Sequence, residues 1–233
     1  MIRPAVTFDV YSALIDSRTG GTTALAGYAA EHGGFGVDPE ELFIAWDRRN
    51  KQLHRLTDDF EPFRVLAHTA MREVLDQADR TLDAAAVTDH LLASMRRWPP
   101  WPDVEDGLRA VATEHRIGLV SNIDDDLLEA TTICPWVTER VTSQGAQSYK
   151  PHAGLYRAAQ ERFGCDLVHV PASARDTRGA LEAGLRVVRV RRDGHHLDPD
   201  GPLPAYEVDD LRELPAVLTA LLGGADTLPE EGR

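Results

Sequence analysis

One rhythm restricts this chain more than any other feature. A single early strand is followed by a long strand-free helical stretch, and only then do strands and helices alternate to the end. The early apolar run AVTFDV, residues 5–10, is short, β-branched and aromatic, and it delivers Asp9 at its C-terminal end. The stretch 16–23, DSRTGGTT, reads as a turn that caps a helix over about 22–32. Helical spacing then runs through 39–56, 61–79 and 82–98. The run Trp98-Pro99-Pro100-Trp101-Pro102 breaks helix and marks a stiff connection. Beyond it, helix is expected at 104–115, 125–134, 153–164, 177–184 and 211–222. Strand is expected at 117–122, 140–144, 166–170, 185–192 and 205–210.

Alternation of this kind implies βαβ units and a parallel sheet. The expected fold is therefore α/β: a Rossmann-like parallel-sheet core from residues 1–16 and 98–222. A helical cap, 17–97, is inserted after strand 1, and 223–233 form a flexible tail. An insert placed directly after the strand that bears Asp9 would sit over that strand's end, where open α/β sheets bind ligands.

Charge narrows the partners. Acidic residues number 38 against 25 Lys plus Arg, a formal charge of −13. Nucleic acid and anionic membrane surfaces are thereby disfavoured, whereas a small anionic organic substrate needs only a locally positive pocket. No apolar run approaches the roughly 20 residues of a membrane span, and the N-terminus lacks the flanks of a signal peptide. The two cysteines, Cys134 and Cys165, form no CxxC and no disulfide framework. A reduced, cytoplasmic protein is expected.

Four places lie at or just beyond the C-terminal ends of expected core strands: Asp9, Ser121-Asn122, Lys150, and 171–176. The first stands in Asp9-Val10-Tyr11-Ser12-Ala13-Leu14-Ile15-Asp16, the second in Leu119-Val120-Ser121-Asn122. The third is Tyr149-Lys150-Pro151 with Tyr156 six residues after the lysine, and the fourth keeps Asp176 before Gly179-Ala180. The helical stretch adds Arg49-Asn50-Lys51-Gln52-Leu53. In order and spacing these resemble the haloacid dehalogenase (HAD) superfamily, most closely its (S)-2-haloacid dehalogenase branch, over residues 4 to about 222.

Asp9 is the candidate nucleophile, because a carboxylate that attacks carbon forms an ester and splits one hard displacement into two easier steps. It must be ionised, and burial opposes that; a cation ~4 Å away, Lys150, would contribute roughly 4 kcal/mol at an effective dielectric near 20. Ser121 and Asn122 offer donors suited to a carboxylate or to developing negative charge, and either could equally cap a helix. Leu42, Trp46, Arg49 and Leu53 fall on one helix face, so Arg49 is expected to face the core and bind a leaving halide or a substrate carboxylate. Arg48 is the neighbouring candidate, and an interfacial packing role for the arginine stays open. The resemblance implies that Tyr156 approaches the site and that Asp176 positions the hydrolytic water or holds Lys150. It adds Tyr11 and Ser173 to the residues that shape the substrate pocket.

The departures from the superfamily's phosphatases discriminate chemistry. Those enzymes place a second Asp two residues after the nucleophile and a Gly-Asp in the fourth motif, and they need Mg2+. Here the positions hold Tyr11 and Val170-Pro171, so no cofactor is expected. Departures from the dehalogenases are Ser12-Ala13 for Gly-Thr, Pro171-Ala172-Ser173 for Ser-Ser-Asn, and Arg175 in place of an aromatic residue. The expected activity is metal-independent hydrolysis of a small 2-halo carboxylate, or of an epoxide acid, through an Asp9 ester. The alternatives are a Mg2+-dependent phosphatase with an eroded metal site, and a catalytically inactive binding protein. Homodimers are common in the resembled branch; the sequence marks no interface.

Overall fold

The computed structural model describes residues 4–56, 59–78 and 82–223. Its centre is a six-stranded, all-parallel sheet in the order β3-β2-β1-β4-β5-β6, with β1 at Val6–Phe8, β2 at Ile117–Ser121, β3 at Arg140–Thr142, β4 at Val168–Val170, β5 at Arg186–Val190 and β6 at Tyr206–Val208. Val6, Thr7 and Phe8 are wholly buried between β2 and β4, which is why this strand reads as a continuous apolar run rather than an alternating one. The chain builds β2 and β3 on one side of β1 and then crosses to β4 on the other. That reversal opens a crevice at the carboxyl ends of β1 and β4.

Between β1 and β2 come α1 (Ser17–His32), α2 (Pro39–Leu56), α3 (Phe63–Gln77) and α4 (Ala84–Ser94), which pack on one another, and then α5 (Val104–Ala112). The remaining helices are α6 (Asp125–Glu129), α7 (Ser143–Ala146), α8 (Ala153–Phe163), α9 (Ala174–Glu182) and α10 (Leu214–Gly223). Two connections join the helical insert to the sheet, and they are tied to each other. Ile15 bridges Pro100 in antiparallel fashion, Asp16 N–H donates to Pro99 O at 2.9 Å and Trp101 N–H to Leu14 O at 3.0 Å.

Helix α1 corrects one expectation. The stretch read as a turn up to Thr22 is helical from Ser17, because Asp16 caps it by accepting from Thr19 N–H at 3.0 Å. Gly20 and Gly21 are helical through close packing. A Cβ on Gly20 would stand 2.4 Å from Trp98 Cγ, and one on Gly21 would stand 2.1 Å from the Phe43 ring. Smaller differences follow the same logic: the strand expected at 140–144 stops at Thr142, whose side chain caps α7, and the helix expected at 125–134 ends at Glu129. Within the expected tail, Gly223 closes α10, and 224–233 lie outside the described residues.

Candidate active site

A cavity of about 540 Å³ opens between the carboxyl ends of the strands and the inserted helices. Asp9 leaves β1 at its floor, anchored by its own N–H to Val170 O at 3.1 Å. Lys150 Nζ reaches Asp9 Oδ1 at 2.7 Å and Asp176 Oδ2 at 2.6 Å, although the first pair is 141 residues apart in sequence. Asn122 fixes the lysine backbone from both ends: its Nδ2 donates to Lys150 O at 3.1 Å, and its Oδ1 accepts from Lys150 N–H at 2.7 Å. Behind the lysine, Asp176 is closed in. Tyr156 Oη donates to Oδ1 at 2.8 Å, and His169 Nε2 lies 3.2 Å from both carboxylate oxygens. Ser173 caps α9 by accepting from Asp176 N–H, which holds that carboxylate at the start of the helix.

Electrostatics separate the two carboxylates. Burial pushes the Asp9 carboxyl above the ordinary range, against the pull of Lys150, and the neighbouring Asp176 adds to the rise. Burial acts on Asp176 too, but Lys150 and His169 outweigh it and hold that carboxyl below the ordinary range. For Lys150, desolvation opposes the charge and the two carboxylates more than restore it, so its pKa is raised. The cluster thus keeps an ammonium and an ionised Asp176 in place. Asp9, the most exposed of the three, is the easiest to neutralise.

Tyr11, Asn122, Ser121 and Ser173 line the cavity with Asp9, Lys150 and Asp176. The Tyr11 hydroxyl and the Ser121 hydroxyl are buried and make no hydrogen bond. Two expected residues stand elsewhere. Arg49 points to α3, where its Nε pairs with Glu73 and its Nη1 donates to Gln52 at 3.2 Å; it does not line the cavity. A helix inside a bundle buries more than one face, and helical spacing alone does not say which neighbour each face meets. Tyr156 is fully buried behind Asp176 rather than in the cavity.

Other residues contribute to the site. Ser12, with φ 89°, donates from Oγ to Asp9 Oδ2 at 3.1 Å, so the hydroxyl expected one residue later has moved rather than vanished. His169 is a polar residue in a central buried strand, a signal in itself. Asn50 and His54 extend the Trp46 face at i+4 and i+8 and line the cavity. The loop residues Asp193, Gly194 and His195 also reach it, with His195 O accepting from Arg189 at 2.5 Å.

No protein-family model matches the chain. A haloacetate dehalogenase H-2 from Moraxella sp. (strain B) is 24% identical over 217 residues, which span 88% of this chain and 92% of the relative. An (S)-2-haloacid dehalogenase from Pseudomonas sp. (strain YL) is 22% identical, covering 95% of this chain and 97% of its own. The L-2-haloacid dehalogenase of Xanthobacter autotrophicus, solved with chloropropionic acid covalently bound, superposes with a TM-score of 0.80 at 19% identity, over 95% of this chain and 100% of that one. The chain has the fold of these haloacid dehalogenases. Within the HAD frame, Asp9, Lys150 and Asp176 converge from the ends of β1, the β3–α8 segment and the start of α9, and the inserted helices roof them.

The donor set around Asp9 does not suit the Mg2+ of HAD phosphatases. Asp176 is already enclosed by Lys150, Tyr156 and His169, Lys150 places a positive charge against Asp9, and Pro171 has no side-chain oxygen to offer. Among the described residues no group of three His, Cys, Asp or Glu is arranged to hold a metal ion. Among them, too, no helix is long and apolar enough to cross a membrane.

Proposed function

We propose that this protein is a metal-independent hydrolase of the haloacid dehalogenase type that acts on a 2-halo carboxylate. The observation that carries the reading is the single ammonium of Lys150 shared between Asp9, at the end of β1, and Asp176, which Tyr156 and His169 enclose. Asp9 attacks the α-carbon from the side opposite the halide. A C–O bond forms, the C–halide bond breaks, and halide leaves with the electron pair, inverting the carbon. Water then adds to the acyl carbon of the ester. The alkoxy oxygen takes one proton, the other passes to solvent, and Asp9 returns to its ionised form with a 2-hydroxy acid released. Asp176 holds Lys150 charged and in place; enclosed by three partners, it is poorly set to accept a proton from water. The unpartnered Ser121 hydroxyl at the end of β2 offers a donor to the substrate's carboxylate.

Chloride release from (S)-2-chloropropionate in the presence of EDTA tests the reading. The expected product is (R)-lactate, and Asp9→Asn should show no turnover. Absence of release across a panel of 2-haloacids, including 2-chlorobutanedioate, would overturn it.

A further inference from the structure

The cavity is lined by four Lys or Arg side chains: Arg18, Lys51, Lys150 and Arg175. Three are committed: Arg18 pairs with Glu40 at 2.6 Å, Lys51 with Asp47 at 2.6 Å, and Lys150 with Asp9 and Asp176. Arg175 pairs with no carboxylate among the described residues. Its Nη1 donates to the Lys51 carbonyl at 2.6 Å, which brings the guanidinium from the start of α9 across to α2. It lines the cavity there together with Asn50 and His54, both only 3% exposed. Asn50 Oδ1 and both ring nitrogens of His54 have no hydrogen-bond partner, and the His54 ring stacks on Tyr149 at 4.2 Å. An unpaired guanidinium beside buried, unsatisfied polar groups is costly unless a ligand completes it.

A second set of unsatisfied groups, Ser121 Oγ and Tyr11 Oη, belongs to the core side near Asp9. The cavity therefore carries polar recognition in two places. Its volume of about 540 Å³ falls in the range of about 300–1,000 Å³ that holds drug-sized ligands, so a three-carbon haloacid fills only part of it.

We infer that Arg175 and His54, beside Asn50, form a second anion subsite, and that the substrate is a 2-halo acid carrying a second carboxylate, such as a 2-halobutanedioate. This rests on the dehalogenase reading for the reaction but not for the binding. The α-carboxylate lies on the core side by Ser121, and the distal carboxylate takes the guanidinium in a charge-assisted contact.

Calorimetric titration with two unreactive hydroxy acids tests it: lactate, with one carboxylate, and malate, with two. Malate should bind on the order of tenfold or more tightly than lactate, the factor expected of a hydrogen bond to a charged group. Arg175→Met should bring that ratio close to one, and His54→Phe should lower it. Equal binding of the two acids by the unaltered protein would overturn the subsite whether or not the variants fold. So would an Arg175→Met protein that weakens both acids equally, because Arg175 would then serve the α-carboxylate. The two readings fail separately. A malate preference without chloride release sinks the reaction and keeps the subsite; chloride release with a ratio near one does the reverse.

Discussion

Ser12 shows how one residue can serve the site at a cost to the fold. Its φ of 89° lies in the left-handed region, where the resembled motif carries glycine. A side chain there costs about 1–2 kcal/mol. In return Oγ donates to Asp9 Oδ2, which favours the ionised carboxylate against the burial that disfavours it. Ser12→Gly should therefore stabilise the protein by about 1 kcal/mol and lower kcat/KM roughly tenfold. The acid limb of the pH–rate profile should also move to higher pH, because Asp9 must be ionised to attack. Ser12→Ala keeps the strain and loses the donor, so it should show the kinetic change without the gain in stability. An unmoved acid limb in both variants would count against the contact. Asp9, Lys150 and Asp176 were legible at this scale because each follows a strand signal in a fixed order. Arg49 was not: its spacing matched Trp46 and Leu53, yet its partner is Glu73 on the neighbouring helix.

At the scale of elements, α2 carries the clearest stability prediction. His54 sits on its inner face, stacked on Tyr149, with neither nitrogen paired. Burial, helped by Arg175 and Lys51, lowers its pKa from 6.5 to about 3. A histidine whose folded pKa is depressed contributes stability above its unfolded pKa and loses it as the pH falls toward the folded value. The loss should thus begin near pH 6.5 and approach on the order of 5 kcal/mol toward pH 3, at 1.36 kcal/mol per unit. Asp176, lowered from 3.8, adds its own loss only below that value. Urea midpoints measured between pH 7 and pH 4 should fall for the native sequence and stay flatter for His54→Phe; parallel curves would contradict the assignment. The α1 start at Ser17 was hidden for a related reason. Gly20 and Gly21 look like a turn until Trp98 and Phe43, distant in sequence, fill the space a Cβ would need.

The whole molecule explains why the parallel strands were legible and the roof was not. Parallel strands buried on both faces announce themselves as short apolar runs, and their order places Asp9 at the point where the sheet reverses. Four helices packed on one another reveal their spacing but not which face each turns to which partner, so Asn50 and His54 emerge only in three dimensions, whereas Arg175 already stands out in the sequence as a departure from an aromatic residue. The formal charge of −13 sharpens the point, since an anionic substrate must find its cations inside the cavity. The most direct test of the account is the mass of the intact protein, acid-quenched within a single turnover with (S)-2-chloropropionate or 2-chlorobutanedioate. The expected species is a covalent adduct whose added mass equals the acid minus HCl, mapped to the peptide bearing Asp9 and absent from Asp9→Asn. Turnover with no adduct at Asp9, or an adduct that persists in Asp9→Asn, would contradict it.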